Sequence, residues 1–383
     1  MVGRRVIVQA FLRWSEKARS GDRSKAATAL AEAYLQSSLP QDRQESAFDA
    51  MTYLLDDPSP KVRSALAETL AYSPSAPRSI IVSLAEDKPE VACVVIIHSP
   101  VLRETDLVDL IGNGTAITRA MIAARPFLEP GACGALAEIS DVLELSILLE
   151  NSSARITPFT LRRIAERHAH DAEIRDLLLD RADLPADVRY AIVGHIGAAL
   201  AASSLVCHAV HPTRLGAVIR DASDAATVQI AGDVTAEAMP MLVEHLREKG
   251  DLTPAFLMSL LCSGRVAFFA QAISNLSGLG ERQVRSILGT GRHHALKALF
   301  QSTGLFGPVL DIFMEATRLW REASEAPYAD PVAELSSGLL SKFSNADADA
   351  TMRELLHMVE KLQMAQQRHR ARSLSNTITA EAA

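Results

Sequence analysis

The amino-acid sequence predicts an all-α fold, a HEAT-like α-solenoid of stacked antiparallel helix pairs, and three observations carry that prediction. The first is a pattern that occurs twice. Asp57-Pro58-Ser59-Pro60-Lys61-Val62-Arg63-Ser64-Ala65 returns as Asp183-Leu184-Pro185-Ala186-Asp187-Val188-Arg189-Tyr190-Ala191. Both read Asp, four residues, Val-Arg, one residue, Ala. The separation, 183 − 57 = 126 residues, is about three repeats of roughly 42, inside the HEAT-repeat range. The second is rhythm: turn signals recur roughly every 15 to 20 residues, which suits short antiparallel helices and not βαβ units. The third is composition. Aromatic residues make up only 5% of the chain, while Ala and Leu abound. That mix favours thin, closely packed helices over a β-sandwich or barrel.

The repeated pattern has a physical reading. Asp57 and Asp183 suit N-caps, where a carboxylate accepts the unpaired amide hydrogens of a first turn. The prolines behind them fit positions whose N–H would have no partner. After the first cap, Val62, Ala65, Leu66, Thr69 and Leu70 follow i, i+3, i+4, i+7, i+8. After the second, Val188, Ala191, Ile192, His195, Ile196 and Ala199 do the same. Each set is one apolar stripe of an amphipathic helix. A lone helix pair cannot bury such a stripe, so neighbours must stack on it. In HEAT-type repeats this Asp and Arg bond between adjacent repeats, which makes Arg63 and Arg189 structural ladder residues.

In chain order, residues 6–36 read as two helices around a Gly21-Asp22 break. Residues 42–56, 58–72 and 76–86 read as short helices with proline-rich joints. The run Val91 to Ile97 reads as a buried helix despite its β-branched content. Gly112-Asn113-Gly114 and Glu129-Pro130-Gly131 mark turns. Thr157-Pro158 and Thr253-Pro254 each read as a Thr N-cap followed by proline in the first turn. Between Arg189 and Arg214 no Asp, Glu, Lys or Arg occurs, a stretch long enough to span a bilayer. Its alanines, glycines, serines and three histidines instead predict a buried central helix of the solenoid.

The expected organisation is N-terminal repeats over 1–150, C-terminal repeats continuing the solenoid over 151–322, and a linker over 323–346. A separate helix follows over 347–372, then a disordered tail over 373–383. In that last helix Asp347 and Asp349 sit at the start and Arg368, Arg370 and Arg372 at the end, the order the helix dipole favours. Met352, Leu355, Val359 and Leu362 approximate two heptads. They leave open docking on the body, a homodimer through this helix, or a solvated helix.

Several of these segments together resemble a family. They are Val6-Ile7-Val8-Gln9-Ala10-Phe11-Leu12-Arg13-Trp14, Ala29-Leu30-Ala31-Glu32-Ala33-Tyr34-Leu35, and Leu54 through Glu68 with the first motif. Asp106-Leu107-Val108-Asp109-Leu110-Ile111, Ala182-Asp183-Leu184-Pro185, Leu252-Thr253-Pro254 and Phe268-Phe269 extend them. Over about residues 5–320 the chain resembles the uncharacterised alphaproteobacterial proteins grouped as domain of unknown function 2336. The resemblance implies a HEAT-like helical fold in a cytosolic bacterial protein and no activity.

The sequence predicts no catalytic chemistry. Cys207, His208 and His211 are the best metal candidates, yet no third or fourth ligand lies at sensible spacing. His168 and His170 read as a solvated helix end, His293-His294 as a turn into a helix, and His195 as a core histidine. No nucleophile elbow, HExxH or kinase signature occurs. The four cysteines, Cys93, Cys133, Cys207 and Cys262, are far apart and read as reduced small hydrophobes of a cytoplasmic protein. The net charge of −7 disfavours nucleic acid as a partner. Residues 1–19 carry Arg4, Arg5, Arg13, Lys17 and Arg19 against Glu16, a local +4. They read as the polar-faced capping helix of the array, with a membrane-surface helix as the alternative. The expectation is a non-enzymatic scaffold that needs no cofactor or metal and binds a protein partner of unknown identity. Membrane association is not expected. The alternatives are a HEAT-like DNA-repair enzyme, which this acidic, Trp-poor chain fits badly, and a membrane-surface regulator.

Overall fold

A computed structural model describes residues 10–11, 13–36, 40–325, 331–343 and 350–381. Among these, every regular element is an α-helix, and the chain divides into two compact units, Met1–Leu184 and Pro185–Ala383.

Unit 1 contains α1 (Ser20–Leu35), α2 (Gln41–Leu54), α3 (Pro60–Leu70), α4 (Arg78–Ala85), α5 (Pro89–His98) and α6 (Glu104–Asn113). It continues with α7 (Ala116–Ala123), α8 (Pro130–Ile139), α9 (Val142–Glu150), α10 (Pro158–His168) and α11 (Ala172–Asp180). Local signals start these helices. Pro60, Pro89, Pro130 and Pro158 occupy first turns, where no N–H is missed. Thr115 and Thr157 cap α7 and α10 by accepting the amides of Thr118 (3.3 Å) and Thr160 (3.2 Å). From α4 onward each helix has only 8 to 11 residues, too few to persist alone in water. Their stability comes from packing. Every second helix meets: α1, α3, α5, α7, α9 and α11 form one row, and α6, α8 and α10 another, with sequential helices touching across the rows.

This arrangement corrects the expected repeat length. First-row helices from α3 on begin at residues 60, 89, 116, 142 and 172, 26 to 30 residues apart and not 42. The repeated motif misled because the intervening pairs start with other signals, Lys88-Pro89, Glu129-Pro130 and Thr157-Pro158. The expected boundary at 150/151 is also displaced, to 184/185. Asn151 lies inside unit 1, where its side-chain amide donates to the carbonyls of Ala123 and Arg125, both at 2.8 Å. At the N-terminus, α1 runs straight through Gly21 and the break falls at residues 16–19. The basic segment read as a capping helix lies largely outside the described residues. Its described part includes a short helical stretch over residues 13–15.

Unit 2 contains α12 (Ala186–Ala202), α13 (Ser204–Ala209), α14 (Pro212–Asp233), α15 (Met239–Lys249), α16 (Pro254–Cys262) and α17 (Val266–Ser277). After these come α18 (Glu281–Thr290), α19 (His293–Ser302), α20 (Gly307–Glu325), α21 (Pro331–Phe343) and α22 (Ala350–Glu381). Its centre is α16, in which every residue from Phe256 to Cys262 is buried. A helix apolar on all sides needs neighbours on all sides, and α14, α17, α20, α21 and α22 supply them. Phe269, Phe300 and Phe313 fill the adjoining core, with Phe269 and Phe313 stacked at 6.3 Å.

The C-terminal third departs most from expectation. The span 323–346, expected as a linker, holds the end of α20 and all of α21. Ala323, Leu335 and Leu339 are buried. Gly338 lets α21 approach closely, since a Cβ there would come within 2.9 Å of the Leu319 side chain. Buried Glu315 of α20 accepts from Lys342 of α21 at 2.6 Å and from Arg318. Small and polar residues read as a linker because tight helix contact and loop composition look alike in sequence. The helix expected at 347–372 forms and runs on to Glu381, through most of the tail expected to be disordered. It is neither separate nor loose. Met352, Leu355 and Val359 are buried, and Met358 Sδ accepts from Ser259 of α16. The apolar stripe that a homodimer through this helix would use is therefore covered by the chain's own α16, α20 and α21.

The stripe on α12 is corrected too. Val188 and Ile192 are buried, but His195, Ile196 and Ala199 are exposed. The uncharged stretch is buried only in its first two turns. No helix among the described residues is long and apolar enough to cross a membrane.

Candidate functional site

The four residues expected as caps and ladder fall in two different settings. Asp57 lies three residues before α3, and the N-cap position belongs to Ser59. The Asp57 carboxylate accepts the Ser59 amide at 2.9 Å and both Nε and Nη2 of Arg23 in α1, at 2.7 and 3.0 Å. Arg63 in α3 donates to the Asp57 carbonyl at 2.5 Å and to the Asp87 carboxylate at 2.5 and 3.0 Å. Burial opposes ionisation of Asp57 and Asp87. Only together do the hydrogen bonds from Arg23 and Arg63, those from the Ser59 and Lys88 amides and the nearby guanidinium charges outweigh it, and both carboxyls sit below their ordinary value. Asp57 and Arg63 thus belong to one chain of charge-assisted bonds from α1 to the start of α5. Asp183 is not an N-cap either, because Pro185 takes that position. Its carboxylate is held by Arg181 at 2.8 and 2.9 Å. Arg189 is half-buried in the first turn of α12.

Beyond Arg63 the tie between successive first-row helices changes character, and sequence reasoning missed it. Arg125 donates to the carbonyls of Ile96 and Ser99 at the end of α5, both at 2.5 Å. Asn151 does the same for the end of α7, and Arg181 for Leu149 at the end of α9, at 3.2 Å. Each satisfies carbonyls left open by the preceding first-row helix, and the two arginines also complement its dipole. The available signal was a donor side chain just after α7, α9 and α11, at residues 125, 151 and 181.

At this end of unit 1 lies the most distinctive surface feature. Phe127 follows Pro126 in the α7–α8 loop with φ of +55°, the only non-glycine residue at positive φ among the described residues. Its ring is 78% exposed. Its amide donates to Ser153 Oγ at 3.1 Å. Ile97, Pro100, Leu102, Leu107, Leu128 and Phe127 line a groove of about 360 Å³, with Glu104 and Glu129 also in its wall. Tyr72 stacks on His98 of the same groove at 4.8 Å, and is itself exposed. A left-handed backbone costs an ordinary L-residue about 1–2 kcal/mol, so strain is held at an apolar, solvent-facing point. Phe127→Gly is expected to raise the stability of unit 1 by about 0.5–1 kcal/mol, since glycine tolerates positive φ at some entropic cost. Urea denaturation of the full chain measures it, and a loss of stability would refute the strain.

The histidine and cysteine clusters are engaged locally. His208 Nδ1 lies 2.6 Å from Ser204 O, His211 Nδ1 lies 2.9 Å from Thr213 Oγ1, and Cys207 Sγ donates to Ala201 O. His168 and His170 stack at 6.1 Å, and burial lowers the His168 pKa. His293 and His294 meet edge to face at the start of α19. Among the described residues no group of three or more His, Cys, Asp or Glu is placed to hold a metal. In unit 2 a cavity of about 470 Å³ is walled by Phe269, Leu288 and Trp320 with Arg285 and Arg321. Both cations are occupied: Arg285 by Glu281 at 2.8 Å, and Arg321 by the carbonyls of Ile287, Leu288 and Gly291.

The cysteines are free and differ in reactivity. Burial pushes the Cys133 and Cys262 thiols up to about 12, where little nucleophilic thiolate exists at neutral pH. Brief alkylation of the folded protein at pH 7.5 is expected to label exposed Cys207 first and to spare Cys133 and Cys262, read by peptide mass spectrometry. Early labelling of Cys262 would contradict the packing around α16.

Fold and surface together define an all-α protein of two helical units. The chain belongs to the bacterial family described as "Uncharacterised protein conserved in bacteria" (DUF2336), whose family model matches residues 91–353. No curated protein and no solved structure matches the chain. The matched span opens in α5, crosses both units and ends in the first turn of α22. The first motif, at Asp57 to Ala65, lies before it. α21, expected outside the family, lies within it.

Proposed function

We propose that this protein is a non-enzymatic interaction scaffold of the cytoplasm. In this reading unit 1 is a short-repeat relative of the HEAT solenoid, and the groove at Phe127 takes a segment of a partner protein. The alternate-helix packing in two rows and the side-chain ties from one repeat to the next support the architecture. One observation carries the function: a large apolar ring is held exposed, in costly backbone geometry, beside a groove lined by apolar side chains. Residues strained without a packing reward are the kind retained for contact with another molecule. The test is affinity purification of the full chain from its native organism at native expression level, in wild-type and Phe127→Gly forms, with mass spectrometry. A specific partner retained by the wild type and lost by the more stable variant is the expected result. Equal recovery by both forms would remove the groove from the reading.

A further inference from the structure

The exposed half of the uncharged stretch poses a separate question. Past Ile192, α12 presents Ile196, Ala198, Ala199, Leu200, Ala201 and Ala202 to solvent, and Leu205 at the start of α13 is 81% exposed. α14 returns beside α12 and is in contact with it. Gly197 allows the close approach: a Cβ there would stand 3.0 Å from the Ile219 side chain. Between the helices runs an apolar groove of about 540 Å³ lined by Leu200, Val206, Val210, Val218 and Ala222, with His211 and Arg214 along it. An open apolar face of this kind in a water-facing helix pair lacks a partner.

We propose that the partner is a second copy of this chain, packed through the α12–α14 hairpin as a two-fold symmetric four-helix assembly. Charge placement on α14 argues for a copy over an unrelated protein. His211, Arg214, Val218, Asp221 and Ala225 follow i, i+3, i+7, i+10, i+14 along one stripe, and all are exposed. Two α14 helices crossing antiparallel about the point between Ala217 and Val218 set Arg214 of each copy opposite Asp221 of the other. One axis therefore makes the Arg214–Asp221 pair twice, once in each direction, the self-complementarity that an isologous interface requires. Within the chain Arg214 has no carboxylate partner among the described residues, and Asp221 has only the half-exposed Lys361 at 3.0 Å. Size is adequate as well. The 17 residues of α12 span about 25 Å, and two helices are about 20 Å wide. The footprint, about 500 Å² before side-chain relief, is of the order of the roughly 800 Å² per partner of a stable interface.

The inference is independent of the scaffold reading, which concerns unit 1, although a dimer would present two copies of its groove on one particle. Sedimentation equilibrium of the full chain tests it, in wild-type, Arg214→Glu, Asp221→Arg and doubly substituted forms. The wild type is expected to dimerise, and each single reversal to weaken the dimer about tenfold or more by placing like charges together. The double variant restores it, which also excludes misfolding as the cause of the single effects. A wild type that stays monomeric over the accessible concentration range overturns the proposal. So do single reversals without effect, or a double variant as weak as the singles. Flotation with anionic phosphatidylserine vesicles accompanies the series. A monomer that floats through this face would assign it to a lipid surface and overturn the dimer equally.

Discussion

Ending the chain after residue 325 is expected to abolish cooperative folding of unit 2, not to release a spare appendage. The cut removes Leu335, Leu339, Met352, Leu355 and Val359, each less than 5% exposed. At about 1.5–3 kcal/mol per fully buried side chain, the loss is roughly 8–15 kcal/mol as an upper figure. That is comparable to the entire stability of a typical domain. The cut also strips Lys342 from buried Glu315 and opens the apolar flank of α16 to water. Thermal melts by circular dichroism of the full and shortened chains measure the effect. Within the full chain, Leu355→Ala is expected to cost about 2–5 kcal/mol by leaving a cavity against the core. A shortened protein that melts as the full chain does would show that α21 and α22 are dispensable. The practical corollary is that loss of a partner on such truncation says nothing about where the partner binds.

The second large effect belongs to Arg63. Arg63→Ala is expected to destabilise unit 1 by about 3–5 kcal/mol, because it strands the buried Asp57 carbonyl and leaves Asp87 without its counter-charge. Arg63→Met, which keeps volume while losing the bonds, distinguishes packing from charge and should cost no more. The same contacts make unit 1 acid-sensitive. Asp57 and Asp87 have folded-state pKa values below their ordinary one, about 3.9 in an unfolded chain. Their contribution is present in full at pH values well above that figure. It is lost as pH falls through it toward the lowered folded values, where protonation is easier in the unfolded state. Urea midpoints measured from pH 7 down to pH 3 are expected to fall for the wild type and to fall less steeply for Arg63→Met, which loses the Asp87 contribution and keeps the Arg23–Asp57 pair. Parallel curves would show that Asp87 carries no linkage.

How much of this was legible before folding depends on which physical signal each part uses. Helix type and starts were readable, because proline in a first turn and a Thr cap act within four residues. Val62, Leu66 and Leu70 were readable as core for the same reason: a stripe is local. Repeat length was not. It is fixed by which helix packs on which, and the strongest sequence pattern marks Asp57 and Asp183 in different surroundings. The fate of 323–346 was also hidden. Ser337, Gly338 and Ala333 look like loop formers until Leu319 is seen against Gly338. Phe127 escaped notice because an exposed aromatic is unremarkable in sequence, and its positive φ is imposed by the turn and by Ser153. His195 was misplaced because periodicity finds a stripe without saying whether anything covers it.

The donors at Arg125, Asn151 and Arg181 have an evolutionary consequence. From α5 to α11, the segment after α7 and the one after α9 each carry the group that closes the first-row helix before, and the ends of α7 and α9 offer the carbonyls that the next donor closes. Supply and demand are thus matched across the helix pairs led by α7 and α9, each 26 to 30 residues long. A segment of that length duplicated in phase would find acceptors upstream and a donor downstream already in place, whereas an insertion of half a module would orphan both. Relatives of this chain should therefore differ in the length of this part of unit 1 by whole helix pairs.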